Sequence, residues 1–122
     1  MIDYEISLCS VCIILHAGDY IMRPVNQVVF NGSDAVLQCA SNTSDICWHV
    51  MNDSNKKIQI TSGDDVAKTD KYGCDTSGSQ FNNTNLVIKN VTFEDSGVYI
   101  CDECGRAGIE MAAQLSVLCK YI

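Results

Sequence analysis

Leu86-Val87-Ile88-Lys89-Asn90-Val91-Thr92-Phe93-Glu94-Asp95-Ser96-Gly97-Val98-Tyr99-Ile100-Cys101 is the stretch on which the fold turns. Leu86 and Ile88 alternate with Val87 and Lys89, the period of two that sends one face of a strand into a core. Asp95-Ser96-Gly97 is a turn signal. Past it, Tyr99 and Cys101 share one face of a second strand. Working back along the chain, Ile46, Trp48 and Val50 alternate with Cys47, His49 and Met51, and Ala35, Leu37 and Cys39 alternate with Val36 and Gln38. An apolar run from Asn26 to Phe30 ends in Asn31-Gly32-Ser33, another turn. Ile58 and Ile60 mark a short strand, Thr61 to Lys71 reads as a polar loop or an exposed edge, and Tyr72 to Cys74 as a brief strand. Gly105 to Gly108 is a tight turn ahead of a closing strand from Ile109 to Leu118. Short strands with frequent turn signals and no sustained helical period predict an all-β antiparallel sandwich.

Two half-cystine candidates on alternating strands, Cys39 and Cys101, lie 62 positions apart with Trp48 on a strand between them. Together with the Asp-Ser-Gly-x-Tyr-x-Cys segment, Asp95 to Cys101, this arrangement closely resembles the immunoglobulin superfamily over about residues 26 to 118. The resemblance implies an immunoglobulin-like two-sheet Greek-key sandwich of variable (V-set) or intermediate type. It implies a Cys39–Cys101 disulfide between the sheets, with Trp48 packed against it and Leu37, Leu86 and Ile88 in the surrounding core. Tyr99, two before the second cysteine, takes the place of the tyrosine corner. Lys71 is the candidate ion-pair partner of Asp95. The last strand lacks the Gly-x-Gly bulge of rearranged antigen receptors, and the connections flanking Trp48 and Cys101 are short, so recognition by long loops is not expected.

Strand parity adds a second disulfide. If Trp48 and Cys101 point inward, Cys47 and Cys104 point outward. Their strands are neighbours in this fold, so the two thiols are expected to form a bridge on the outer face of one sheet. The pairing of Cys74 and Cys119 is open: free thiols, or an intermolecular bridge through Cys119. Cys101-x-x-Cys104 also has the spacing of a thiol–disulfide enzyme, but the βαβ setting of such a site is missing.

The chain has 122 residues, 8 Lys+Arg against 15 Asp+Glu and a net charge of −7. That length suits one domain. The acidic balance argues against nucleic acid or an anionic membrane as partner, and no apolar run reaches the roughly 18 to 20 residues that span a bilayer. Ile6 to Leu15 is an apolar stretch of signal-peptide length, followed by small residues at Ala17 and Gly18. The expected organisation is a leader over residues 1–18, an immunoglobulin-like domain over 19–119 and a tail over 120–122. Asn-x-Ser/Thr triplets begin at Asn31, Asn42, Asn52, Asn82 and Asn90. Random pairing of the nine Asn and 17 Ser/Thr would give only about one such triplet, so the five are read as glycan acceptors of a secreted or cell-surface protein.

The chain shows no nucleophile–base pair and no phosphate-binding glycine loop, and the zinc-knuckle spacing of Cys101-x-x-Cys104 lacks a second pair, because Cys9-x-x-Cys12 lies in the expected leader; neither catalysis nor a cofactor is expected. The resemblance implies an extracellular, non-catalytic module for protein recognition in adhesion or immunity, with a homodimer among the arrangements open to it. A structural spacer domain of a longer receptor is the alternative. Contact is expected on the outer face of the sheet holding strands G, F, C and C′, or on its loops. The residues expected there are His49, Met51, Asp102, Arg106 and Met111.

Overall fold

β-Branched and aromatic residues in period two build strands here, and Gly/Asn/Asp/Ser clusters end them. A computed structural model of the chain describes residues 20–41, 45–63, 65–75, 82–104 and 110–119. The expected leader, Asn42 and Arg106 lie outside the described residues. The strands, in chain order, are β1 (Tyr20–Met22), β2 (Gln27–Phe30), β3 (Ala35–Leu37), β4 (Ala40–Ser41), β5 (Cys47–Met51), β6 (Lys57–Ser62), β7 (Asp65–Val66), β8 (Tyr72–Asp75), β9 (Asn82–Asn83), β10 (Asn85–Ile88), β11 (Gly97–Asp102) and β12 (Met111–Leu118).

They form two layers. One is a six-stranded sheet in the order β2-β12-β11-β5-β6-β7. β2 runs parallel to β12 and every other pairing is antiparallel. The other layer holds β3-β10-β8, continued by β1-β4-β9. β12, β11, β5 and β6 stand where the resemblance puts strands G, F, C and C′, and β7 is the further edge strand of the variable type. The polar stretch from Thr61 to Lys71 therefore carries the end of β6 and all of β7. β1 pairs with β4 in one layer and β2 with β12 in the other. The intervening Pro24, which has no N–H to offer a ladder, lies where the chain changes sheets.

The core lies between the layers. Trp48, Tyr99, Leu37, Ile46, Leu86, Ile88, Leu115, Val91, Cys39 and Cys101 are fully buried. Cys39 and Cys101 are joined by a disulfide across the sandwich, with Cα atoms 6.6 Å apart. The indole Nε1–H of Trp48 donates to the Thr84 carbonyl at 2.8 Å. That carbonyl falls in the gap between β9 and β10, and so it serves the tryptophan. The neighbouring Thr84 N–H still donates to Cys39 O at 3.0 Å.

The stretch quoted first folds into a compact corner. After a 3-10 turn at Phe93–Asp95, Gly97 opens β11 at φ +150°, a backbone setting that side chains rarely tolerate. The Tyr99 hydroxyl donates to Asp95 O at 2.7 Å. Burial, with Tyr72 and Asp95 adding, pushes that hydroxyl well above the usual tyrosine pKa. The Asp95 carboxylate accepts from Thr92 N–H at 2.8 Å and pairs with the Lys71 ammonium. Lys71 also reaches the carbonyl of Asn90 at 3.3 Å. A base at the start of β8 thus clamps the turn that leads into β11.

Candidate functional site

The outer face of the six-stranded sheet collects the side chains that alternate with the core. On β5, Trp48 and Val50 pack inward, so Cys47, His49 and Met51 take the other side. On β11, Tyr99 and Cys101 are inward, so Ile100 and Asp102 face out. Cross-strand register then decides which of these meet. Asp102 lies opposite Cys47 and Ile100 opposite His49. On β6, Gln59 stands beside His49 and Lys57 beside Met51. A bulge between Trp48 and His49 shifts the β5–β6 register, and it lets both Ile60 and Thr61 be buried next to Trp48.

Cys47 and Cys104 are joined by a disulfide on this face, their Cα atoms 4.9 Å apart. Cys104 sits in the turn after β11 at φ +46°, in the left-handed region, and its N–H donates to Asp102 Oδ1 at 3.1 Å. Cys101 and Cys104 belong to separate bridges, so their spacing does not constitute a dithiol. Cys74, half-buried on β8, and Cys119, exposed beyond β12, take part in neither of these two bridges.

Charged groups converge beside the bridge. His49 Nε2 lies 3.0 Å from Asp102 Oδ2. The approach makes no hydrogen bond, and Nε2 is buried without another partner; the contact is electrostatic and depends on the charge of the ring. Lys57 Nζ reaches the same carboxylate at 3.6 Å and pairs directly with Glu110. The Glu110 carboxylate, by its hydrogen bond, holds the Lys57 ammonium above the ordinary lysine value, with Asp102 adding to the shift. Gln59 Nε2 donates to Thr61 O at 3.2 Å and leans on Cys47 Sγ. Together Cys47, His49, Lys57, Gln59, Ser62, Asp102 and Cys104 line a cavity of about 310 Å³. Its lining joins the Cys47–Cys104 disulfide to the Lys57–Asp102 ion pair.

Of the residues expected on this face, His49, Met51 and Asp102 are there. Met111 is not. It pairs with Cys101 and packs against the core, on the same side as the buried Ala113, Leu115 and Val117. That parity was already written in the sequence of β12. Lys57, Gln59 and Glu110 were not anticipated. The alternation with Ile58 and Ile60 marks Lys57 and Gln59 as outward, whereas the ion pair of Lys57 with Glu110 joins positions 53 apart and carries no local signal. Of the glycosylation triplets, Asn31, Asn52 and Asn90 are exposed at turns. The Asn52 carboxamide oxygen accepts from the N–H groups of Ser54 and Lys56, both at 2.9 Å, within the β5–β6 hairpin. Asn82 lies in β9.

A family model for the immunoglobulin V-set domain matches residues 23–117. The human netrin receptor DCC is 31% identical over 100 residues, which make up 81% of this chain and 6% of that receptor's length. Among solved structures, the RIG-5 IG1 homodimer superposes with a TM-score of 0.69 at 20% identity, covering 79% of this chain and 92% of the other. The ZIG-8 IG1 homodimer gives 0.67 at 19%, covering 86% and 84%. At such identities the structural likeness speaks to the fold.

Proposed function

Because this chain belongs to the immunoglobulin V-set family, we propose that it works by binding another protein, as a non-catalytic extracellular recognition module. The contact surface is the outer face of β12, β11, β5 and β6. The observation that carries this reading is the cavity between β5, β6 and β11, where His49, Lys57 and Asp102 are held beside the Cys47–Cys104 bridge. Preformed polar groups beside a disulfide lose little entropy on docking, which favours recognition. The face carries acid and base together, Asp102 and Glu110 against Lys57 and His49. A second copy is therefore an electrostatically acceptable partner, in keeping with the homodimers formed by the RIG-5 and ZIG-8 domains. Arg106, outside the described residues, is proposed for the same surface on its place in the sequence alone. The setting is extracellular: residues 1–18 act as a leader, and the two bridges and the five glycosylation triplets suit an oxidising, glycosylating compartment.

The test is association measured on the protein secreted from cultured cells. Sedimentation equilibrium reads self-association, and an array of cell-surface ectodomains reads other partners. Asp102→Arg places a second cation beside Lys57 and is expected to weaken whichever association is found at least about tenfold, with an unchanged far-ultraviolet spectrum. A spacer domain would show neither self-association nor a partner. Binding that Asp102→Arg leaves intact would place the contact elsewhere on the domain.

A further inference from the structure

The outer face of the long sheet changes character from one edge to the other. Its β5–β6 end is polar. At its β2–β12 end Val28, Phe30 and Leu118 stand 63%, 50% and 47% exposed. Phe30 and Leu118 are direct partners in the ladder, so their side chains form one apolar patch. Immediately after Phe30 the chain reverses. Ser33 N–H donates to Phe30 O at 3.0 Å, Gly32 adopts φ +95°, and Asn31 N–H donates to Leu118 O at 2.8 Å. Only glycine is comfortable at that φ, so the turn is fixed by the residue in the middle of the triplet Asn31-Gly32-Ser33. Asn31 is thereby tied, through its own backbone, to the residue that flanks Phe30.

We propose that Asn31 carries an N-linked glycan whose first N-acetylglucosamine lies over Phe30 and Leu118. This rests on the extracellular reading above. The bond forms between the anomeric carbon of a lipid-pyrophosphate-linked oligosaccharide and Asn31 Nδ2. The lipid pyrophosphate leaves, and one Nδ2 proton is lost with it. A pyranose ring presents one face of C–H groups, and a face of that kind against the exposed Phe30 ring removes apolar surface from water on both sides. The sugar then does for this patch what a protein partner would otherwise do, and it confines recognition to the polar end of the same sheet.

A four-protein comparison tests this in material secreted from glycosylating cells: wild type, Ser33→Ala, Phe30→Ser and the double variant. Ser33→Ala abolishes the acceptor triplet and leaves Asn31 and Phe30 in place; Asn31→Gln serves as a second route to the same loss. Peptide mass analysis is expected to find Asn31 occupied. With Phe30 present, losing the glycan should raise the fluorescence of an apolar-surface dye and lower Tm by at least about 2 °C. With Phe30→Ser, losing the glycan should change neither. Equal effects in both backgrounds would overturn the packing, as would dye binding in the wild type no weaker than in Ser33→Ala. An unmodified Asn31 beside other occupied triplets would overturn the proposal while leaving the extracellular reading standing. A product unmodified at every triplet would remove both.

Discussion

The two disulfides interlock, and their energies should not add. Cys39–Cys101 spans 62 positions and Cys47–Cys104 spans 57. Taken alone, each closes a loop of the unfolded chain worth about 4 kcal/mol in the chain-entropy model. With one bridge in place the other closes a far shorter circuit. Cys47 is eight residues from Cys39, and Cys104 is three from Cys101, so that circuit holds only about 11 residues and is worth about 3 kcal/mol. Removing Cys47–Cys104 from the doubly bridged protein, as Cys47→Ser with Cys104→Ser, should therefore cost about 3 kcal/mol. Removing it from a protein that already lacks Cys39–Cys101 should cost about 4. The assay is urea unfolding followed by tryptophan fluorescence, since Trp48 is the chain's single tryptophan and is fully buried. The core bridge carries a further packing loss, because both of its cysteines are fully buried. If the protein lacking it does not fold, the first removal still decides. A cost under about 1 kcal/mol, or one of 4 or more, would refute the interlocked circuit. Equal costs in the two backgrounds would refute it as well.

Trp48→Phe keeps most of the ring volume but leaves the buried Thr84 carbonyl without its indole donor, and should cost about 1–3 kcal/mol in the same unfolding assay. Lys71→Met strips the base from Asp95, whose side chain is 10% exposed; a loss of about 1–2 kcal/mol is expected, and an unchanged midpoint would show that the clamp adds nothing. Alkaline pH supplies another test. Burial, with Glu103, Asp102 and Glu110 adding, pushes the Tyr20 hydroxyl from 10.0 up to about 12. The native state holds that proton more tightly than the unfolded chain. The stability it contributes is present below pH 10.0 and is lost as pH rises toward about 12. Unfolding free energy measured over that window should fall less steeply in Tyr20→Phe than in the wild type.

Periodicity two and turn residues, read along the chain, were enough for the sandwich. They paired Leu86 with Ile88, Tyr99 with Cys101 and Ala35 with Leu37 on inward faces, because alternate side chains of a strand take opposite sides whatever the strand later pairs with. Met111 shows that this rule must be applied to every strand, for Ala113, Leu115 and Val117 on the same parity already turned it inward. The tertiary structure decided what parity does not encode. Register across the β5–β11 and β5–β6 ladders put Asp102 opposite Cys47 and Gln59 beside His49. It gathered one carboxylate, one imidazole, one ammonium and a disulfide around a cavity. β1 crossed to the opposite layer from β2; Pro24 marks a break between them but not which layer each strand joins. A strand's own sequence sets which side each residue faces. Which residues become neighbours depends on hydrogen-bonded alignment with segments tens of positions away, and that alignment exists only in the folded sheet.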